Sequence, residues 1–291
     1  MRHVLLLIAF FGPVALATSA TSQPSDEMVL TPGGYRARAL IHHIERGQVV
    51  REQLGQYEIL DVSRRVVKII PKMPGKSRSV HADGWVTYSS WSKTTTAPIS
   101  SFRSTWQVPE VPSSHSGQIL YYFNGLEPDG KDAILQPVLQ WGSTPAGGGD
   151  YWGVASWYVT SDGQAMHTDV VPINSGVSLV GVMNLISSDR SFSYTSEFLG
   201  VAGTLLSVEN VAELTWASET LETYQTSSCS DYSSSATAFT SIAIEAGPSS
   251  IPSIDWEVTN SVTDCGQHTS IVNKSSTDGE VDIYTQSRSL E

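Results

Sequence analysis

The most constraining feature of this sequence is its uniform texture from Trp85 to the C-terminus. Short runs rich in aromatic and β-branched residues alternate there with turns made of Gly, Ser, Asp and Pro. Helical periodicity never persists for more than two turns, and no repeat of fixed length occurs. Many short strands joined by such turns are typical of two antiparallel sheets packed face to face. The sequence therefore predicts an all-β antiparallel sandwich, which at roughly 200 residues can bury a large core.

The β-prone runs define a set of expected strands and one long loop. We expect strands over residues 85–91, 99–108, 118–124, 133–141, 151–160, 166–172, 177–187, 191–198, 204–208, 211–224, 237–245, 254–259, 268–273 and 280–286. The Ser/Thr-rich stretch from Thr226 to Thr240 is expected to form the loop.

The first twenty residues have the composition of a secretory signal. A short basic start precedes the apolar run Val4–Phe11, and Ala15–Ala17 or Ala20 offers a small-residue cleavage site. The apolar run is too short to span a bilayer as a permanent helix. We therefore expect residues 1–20 to be a signal peptide and the protein to be secreted and extracellular, with no membrane as a partner.

Residues 21–82 are expected to form a β-rich leader that resembles a propeptide and ends in a linker. Runs such as "QVVREQL" and "RRVVKII" favour small hairpins, and a helix from Tyr35 to Leu54 is the alternative. The stretch 71–84, "PKMPGKSRSVHADG", has the composition of an exposed, protease-sensitive linker. The sandwich domain is expected to span residues 83–291.

Charge is divided unevenly between these two parts of the chain. The segment from Leu30 to Val80 carries ten Lys or Arg against four acidic residues, a net charge of +6, and the rest of the chain to the C-terminus has a net charge of −17. A basic leader and an acidic body are expected to attract each other. The acidic body argues against a nucleic acid as a partner.

The sequence contains two cysteines and one glycosylation acceptor. Cys229 and Cys265 are 36 positions apart, and in an oxidising compartment they are expected to form a disulfide worth roughly 3–4 kcal/mol. Two unpaired thiols are the alternative. The Asn273-Lys-Ser275 triplet is the acceptor for an N-linked glycan.

Several classes of chemistry lack their sequence signals. We find no H-E-x-x-H zinc motif, no serine-hydrolase elbow and no phosphate-binding glycine loop, so we expect no metal and no cofactor. The carboxylates of Glu280 and Asp282 would share one strand face, which leaves a glycosidase pair as an alternative to a solvated strand.

Two glutamines stand on one face of an expected strand. In "DAILQPVLQW", residues alternate between faces, so Gln136 and Gln140 share a face with Ile134 and Val138. The stretch "VENVAELTWASETLETYQ" carries three glutamates, Glu213, Glu219 and Glu222. If Trp216 faces the core, Glu219 faces the other way, in a partly apolar setting that raises the pKa of a carboxyl group and suits acid–base catalysis.

These segments resemble a known family. "FRSTWQVPEVP", "YYFNGLEPDG", "DAILQPVLQWG", "YWGVASWYV" and "WASETLETY" occur in the order and spacing of the fungal glutamic peptidases, the eqolisins, over roughly residues 84–286. Within those segments, Ala133–Gln136 matches the family's A-I-L-Q strand, Glu219–Glu222 its E-x-[aromatic or Leu]-E stretch, and Phe123–Glu127 its aromatic followed by G-x-[DE]. Pro137 follows the glutamine directly. In this feature the chain resembles a sister group of secreted fungal sandwich proteins.

The resemblance implies a concanavalin A-like sandwich of the jelly-roll type and a Gln–Glu catalytic pair. On this basis Gln136 and Glu219 are the expected catalytic residues, with Glu219 as the general base and Gln136 as the donor to the oxyanion. The expected substrate-binding residues are Trp85, Phe123, Glu127, Gln140 and Trp152. We expect a monomeric acid endopeptidase that acts on polypeptides and is made as a precursor held by its own basic leader. A non-catalytic protein that binds polysaccharide in the cell wall is the alternative.

Overall fold

The computed structural model describes residues 27–74, 84–247 and 251–286, and these residues form two large β-sheets and one small one. The predicted signal peptide and most of the predicted linker lie outside the described residues. Within the described residues there is no α-helix, and no helix is long and apolar enough to cross a membrane.

We call residues 27–74 the leader and residues 84–286 the body. The leader contains a 3-10 turn at Arg38–Leu40 and the strands β1 (Met28–Thr31), β2 (Gly34–Ala37), β3 (Ile41–His43), β4 (Val49–Gln53), β5 (Gln56–Leu60) and β6 (Val66–Pro71). The body contains a 3-10 turn at Cys229–Asp231 and the strands β7 (Trp85–Ser92), β8 (Ile99–Gln107), β9 (Ile119–Pro128), β10 (Ala133–Thr144), β11 (Gly147–Thr160), β12 (Ala165–His167), β13 (Val171–Pro172), β14 (Ser178–Ser187), β15 (Phe192–Phe198), β16 (Leu206–Val211), β17 (Leu214–Tyr224), β18 (Thr237–Ala246), β19 (Glu257–Asn260), β20 (His268–Asn273) and β21 (Gly279–Tyr284).

The two large sheets pack face to face, which confirms the predicted all-β sandwich. The nine-stranded sheet has the order β19-β7-β17-β9-β10-β11-β12-β3, with β13 paired to β11. The ten-stranded sheet has the order β20-β21-β18-β8-β14-β15-β16-β4-β5-β6. Neighbouring strands of the body are antiparallel in both sheets, as predicted.

The nine-stranded sheet is buried on both faces. Its inner face packs against the ten-stranded sheet through residues such as Tyr122, Leu135 and Leu221. Its outer face carries a second apolar cluster, which includes Tyr121 and Val138 and is joined by Leu30 of the leader. Because apolar residues cover both faces, hydrophobicity alone does not show which side of a strand faces the core.

The leader forms the separate β1–β2 hairpin and adds its other strands to both large sheets. Strand β3 adds to the nine-stranded sheet parallel to β12, and β4 adds to the ten-stranded sheet parallel to β16. Strands β5 and β6 continue the ten-stranded sheet beyond β4. The strand interpretation of the leader is therefore confirmed and the alternative helix from Tyr35 to Leu54 is wrong.

The basic residues of the leader form several ion pairs within the leader itself. Internal pairs join Arg38 to Glu27, Arg51 to Glu58, Arg65 to Asp61 and Lys72 to Glu52. The pair between Arg64 and Glu209, at 2.5 Å, crosses from the leader to the body. Strand pairing and apolar contacts join the leader to the body together with this ion pair, and the overall charge attraction between the two stays a prediction.

The predicted disulfide is confirmed. Cys229 and Cys265 are bonded, with their Cα atoms 5.4 Å apart, and the bond ties the 3-10 turn of the 225–236 loop to the segment before β20. The predicted loop is shorter than expected at its end, because β18 begins at Thr237. Asn273 is exposed at the end of β20, and its amide nitrogen donates to the carbonyl oxygen of Asp278 at 2.7 Å.

Candidate active site on the outer face of the nine-stranded sheet

Strand β10 places both glutamines on the outer face, as the alternation predicted. Ile134 and Val138 belong to the outer cluster, and Gln136 and Gln140 alternate with them along the strand. Leu135 and Leu139 point to the inner face. Both glutamines are buried, at 1% exposure each.

Glu219 lies on the opposite face, so the predicted pairing of Gln136 with Glu219 is wrong. Ala217 and Leu221, two positions before and after Glu219, belong to the inner core. The Ser104 hydroxyl, on β8 of the other sheet, donates to Oε1 of Glu219. Trp216 packs in the outer cluster instead of the core, which reverses the face assigned to Glu219. Burial raises the pKa of Glu219 well above its usual range.

Glu222 is the glutamate of this strand that shares a face with the glutamines. It is three positions from Glu219 and therefore points to the other side of the sheet. Its cross-strand neighbours are Trp85 on β7 and Tyr121 on β9, both members of the outer cluster.

Gln140, Tyr121 and Glu222 form one row across three neighbouring strands. Tyr121 pairs with Gln140 on one side and with Glu222 on the other. Two strand spacings put the Cα atoms of Gln140 and Glu222 about 10 Å apart, which their side chains can bridge with one small molecule between them. Within the described part of the chain, Oε1 of Gln140, the Tyr121 hydroxyl and Oε2 of Glu222 are buried without a hydrogen-bond partner. An unsatisfied buried polar atom costs about 1–3 kcal/mol, and this row holds three.

The amide of Gln140 is held by the β10–β11 hairpin. Its Nε2 lies 3.2 Å from the carbonyl oxygen of Gly147, and 3.4 Å from both the carbonyl oxygen of Gly142 and Oγ1 of Thr144. These three acceptors define which end of the amide is the nitrogen. The other end of the amide is consequently the oxygen, which has no hydrogen-bond partner among the described residues.

The carboxyl group of Glu222 has an apolar setting with several polar contacts. Tyr224 donates its hydroxyl to Oε1 at 2.5 Å, and the backbone N–H of Gly33 donates to the same oxygen at 2.8 Å. Burial raises the pKa of Glu222 to about 7, although these two donors and the charge of Arg36 lower it. The group is therefore poised to exchange a proton near neutral pH.

The β1–β2 hairpin of the leader covers this row. Its turn brings Gly33 to Glu222, and Tyr35 of β2 packs edge-on against Tyr224 with ring centroids 6.4 Å apart. Gly33 has φ of +79°, a left-handed conformation that glycine adopts without strain. The leader thus occupies the space directly above the carboxyl group.

The structure divides the predicted substrate-binding residues between the two faces. Trp85 and Phe123 lie in the outer cluster with ring centroids 5.6 Å apart, and Glu127 shares this face because it pairs with Trp216. Trp152 was expected to line the same pocket, but it packs between the sheets, 5.5 Å from Trp141. Its parity explains the error, since it pairs directly with the inward Trp141.

Gln136 lies two positions along the same face from the row, because Val138 stands between it and Gln140. The register between β9 and β10 puts it beside Gly125, which in turn pairs with Ser218. Four residues of extended strand separate Gln136 from Gln140 by about 13 Å, too far for Gln136 to share a water with Glu222. Its Oε1 is also buried without a partner in the described residues.

The pair of carboxylates considered for a glycosidase falls outside this row. Glu280 and Asp282 lie on β21 of the ten-stranded sheet, half-buried, and Tyr284 donates its hydroxyl to Asp282 at 3.0 Å. Among the described residues, no group of three or more His, Cys, Asp or Glu could hold a metal ion.

Sequence reasoning missed Glu222 and Tyr121 as site residues. Parity held the necessary signal, because Glu219 and Glu222 cannot share a face of one strand, and only one of them can join the glutamines. Tyr121 gave no signal of its own, because an aromatic residue in a β-strand is equally consistent with core packing.

The sequence matches no protein-family model and no curated protein. Similar solved structures are the scytalidoglutamic peptidase with a peptide-based transition-state analogue (18% identity over 69% of this chain and 99% of that chain, TM-score 0.47) and the same peptidase with a transition-state analogue inhibitor (20%, 69% and 98%, TM-score 0.48). A third is SCP-B, a member of the eqolisin family, in complex with the tripeptide Ala-Ile-His (20%, 69% and 96%, TM-score 0.43). At these values the similarity assigns no activity and no residue role to this chain.

Proposed function

We propose that this protein is a secreted acid endopeptidase of the glutamic type, made as a precursor. The observation that carries the proposal is the row on the outer face. In it an amide oxygen of Gln140 and a carboxyl oxygen of Glu222 are buried with no hydrogen-bond partner among the residues that the structure describes, and the two Cα atoms are about 10 Å apart. Such a pair fits a water molecule held between an acceptor and a base. The motifs that resemble those of the glutamic peptidases favour the same class of reaction. Their positions match Gln136 and Glu219, whereas the proposal assigns the two roles to Gln140 and Glu222, which share one row.

The chemistry follows from the functional groups. Glu222, as a carboxylate, takes a proton from the water, whose oxygen then attacks the peptide carbonyl carbon. The amide oxygen of Gln140 accepts the second water proton in a hydrogen bond and orients the attack. When the tetrahedral intermediate collapses, the carbon–nitrogen bond breaks and Glu222 returns the proton to the leaving amine. A glutamine suits this role because its amide does not titrate in acid.

The leader keeps the site closed in the precursor. Its hairpin places the Gly33 N–H on Oε1 of Glu222, where a substrate would otherwise bind. Departure of the hairpin would hydrate the carboxyl group, lower its pKa and so allow it to act as a base in acid. The outer face thereby exposed, with Trp85, Phe123, Glu127 and Gln136, would hold the polypeptide substrate.

The direct test is proteolysis by the purified protein after release of the leader. Denatured casein incubated with it at acid pH should be cleaved, and the Glu222→Gln variant should be inactive because an amide cannot take the water proton. Wild-type protein that leaves casein intact but is retained on polysaccharide would instead support a carbohydrate-binding function and overturn the proposal.

A further inference from the structure

The row on the outer face contains a third polar atom, the hydroxyl of Tyr121. Tyr121 is fully buried, and its ring lies 6.4 Å from the ring of Tyr224, which itself donates to Glu222. In the described residues, the Tyr121 hydroxyl has no hydrogen-bond partner. A phenol buried in this way usually finds a partner, so its position calls for an acceptor that arrives from outside.

The proposed reaction needs such a donor. Attack by water moves a pair of electrons from the carbonyl bond onto oxygen, and the resulting oxyanion is stabilised by a preorganised N–H or O–H group. The amide nitrogen of Gln140 is directed to the β10–β11 hairpin, with Gly147 its nearest acceptor at 3.2 Å. Gln140 is therefore arranged to accept from the water, and the oxyanion is left without a donor from that side chain.

We propose that Tyr121 is a catalytic residue that donates its O–H hydrogen bond to the oxyanion of the tetrahedral intermediate. This inference rests on the proposed function of the site. Tyr121 lies between Gln140 and Glu222 in the row, so an intermediate formed from water held by those two residues lies next to Tyr121. The proton stays on the phenol throughout. The oxyanion charge returns to the carbonyl bond as the carbon–nitrogen bond breaks.

The surroundings keep Tyr121 in the protonated form that the role requires. Burial raises its pKa well above the usual range, and the negative charge of Glu222 acts in the same direction. The phenol therefore remains a donor throughout the acid and neutral range. Its position is fixed by β9, which is paired on both sides by β10 and β17.

The chain offers a matched control in the next residue. Tyr122 is equally buried on the same strand, but it packs in the inner core, where Thr237 lies close to its hydroxyl. Tyr121→Phe should lower kcat for peptide cleavage about 100- to 1,000-fold with little change in KM, whereas Tyr122→Phe should keep the wild-type kcat. Loss of a single buried hydroxyl should leave both variants folded. The Tm of Tyr121→Phe should be unchanged or higher, because the hydroxyl removed has no partner among the described residues.

A binding experiment separates this role from a structural one. In the Glu222→Gln background, Tyr121→Phe should weaken binding of a peptide phosphinate, whose tetrahedral oxygens resemble the intermediate, at least tenfold more than binding of the matching uncleaved peptide. Wild-type kcat in Tyr121→Phe, or equal losses in both tyrosine variants, would overturn the inference while leaving the proposed function intact. Full activity of Glu222→Gln, or a wild-type protein without peptidase activity, would overturn both.

Discussion

Gln140 and Glu222 stand on either side of Tyr121 in one row across β10, β9 and β17, and all three side chains face away from the sandwich core. The row is closed from above by Gly33 of the leader, which donates to Glu222. The proposed site and the leader hairpin that covers it therefore meet on the outer face of the nine-stranded sheet. This relationship leads to predictions about the pair, the leader and the buried acids.

The two glutamines should differ in their effect on catalysis. Gln140→Leu should lower kcat about 100-fold, because the water loses the acceptor that orients it. Gln136→Leu should raise KM for long peptides several-fold and leave kcat nearly unchanged, since Gln136 lies about 13 Å along the strand. Steady-state kinetics with a short and a long peptide separate the two effects. Equal losses of kcat in the two variants would contradict the assignment.

The leader hairpin should depend on the left-handed conformation of Gly33. Gly33→Ala should cost about 1–2 kcal/mol at φ +79° and displace the hairpin from Glu222, so that the precursor cleaves peptides faster than wild type. Gly55→Ala is the matched control, because Gly55 has the same φ of +79° in a turn where nothing lies within 4 Å of an added Cβ. It should cost similar stability without activating the precursor. Activation of both variants, or of neither, would count against the proposal that the β1–β2 hairpin blocks Glu222.

The contact between β3 and β12 should weaken in acid. His42 of β3 bonds through Nε2 to Gln164 at 2.8 Å and accepts from Lys68 through Nδ1 at 3.1 Å, so its ring is neutral. Burial lowers the pKa of His42 below its usual value of 6.5 and that of His167 on β12 to about 4. The docked strand binds fewer protons than the free one, so its stability is complete above pH 6.5 and is lost as pH falls towards 4.

Hydrogen exchange of the β3 amides measures this loss. Their protection relative to β17 should decrease as pH falls, and His42→Gln should remove part of that dependence. His268→Gln is the control, since His268 stacks on Tyr284 far along the chain from β3. Other titratable groups also face this contact. Asp162 raises the pKa of His42, and Asp169 raises the pKa of His167. His43, whose Nε2 lies 2.7 Å from Asp169, helps to lower the pKa of His167. Protection that does not change with pH would refute the prediction.

Glu222 should give the β1–β2 hairpin a pH dependence of stability opposite in sign to that of β3. Burial raises its pKa to about 7, so the closed state binds a proton more tightly than the open state. Its contribution is present below the ordinary glutamate pKa of 4.5 and disappears as pH rises through about 7. In Glu222→Gln, protection of the β1–β2 amides should therefore no longer fall between those two pH values. Unchanged pH dependence in this variant would show that Glu222 does not sense the hairpin.

Glu219 should control stability and not catalysis. Burial raises its pKa, so its stabilising contribution is present below 4.5 and is lost as pH rises through the folded value. Glu219→Gln should consequently raise Tm at neutral pH and change it little in acid. Thermal unfolding followed at both pH values tests the sign, and a variant less stable than wild type at neutral pH would contradict it.

The disulfide should contribute much of the stability of the region around β20. Replacing Cys229 and Cys265 by serine should lower the free energy of unfolding by roughly 3–4 kcal/mol, which corresponds to a fall in Tm of roughly 10 °C. Reduction of the wild-type protein should reproduce the shift. A Tm that is insensitive to both treatments would mean that the loop closed by this bond unfolds independently.

The strands and the disulfide were predictable because local patterns determine them. Alternation along β10 correctly placed Gln136 and Gln140 on one face, and turn residues located most of the body strands. The face of β17 was not predictable in the same way. Trp216 is buried in the outer cluster and not in the core between the sheets. The usual association of tryptophan with the core therefore predicted the wrong face for Glu219.

The placement of the leader was beyond reach for a different reason. Its strands pair with β12 and β16, more than 120 positions away, and no local pattern specifies a parallel partner at that distance. The contact between Gly33 and Glu222 follows from that placement. The row of Gln140, Tyr121 and Glu222 depends on how β9 is aligned with β10 and with β17. Alternation in the sequence determines which face a residue takes, but it allows these alignments to shift by two residues.

The most direct test of the account compares two glutamates three positions apart on one strand. Glu222→Gln and Glu219→Gln should be assayed for peptide cleavage at acid pH after release of the leader, with Tm measured for both proteins. We predict that Glu222→Gln is folded and inactive, whereas Glu219→Gln keeps a kcat close to that of wild type. The reverse result, an active Glu222→Gln and a folded but inactive Glu219→Gln, would contradict the account.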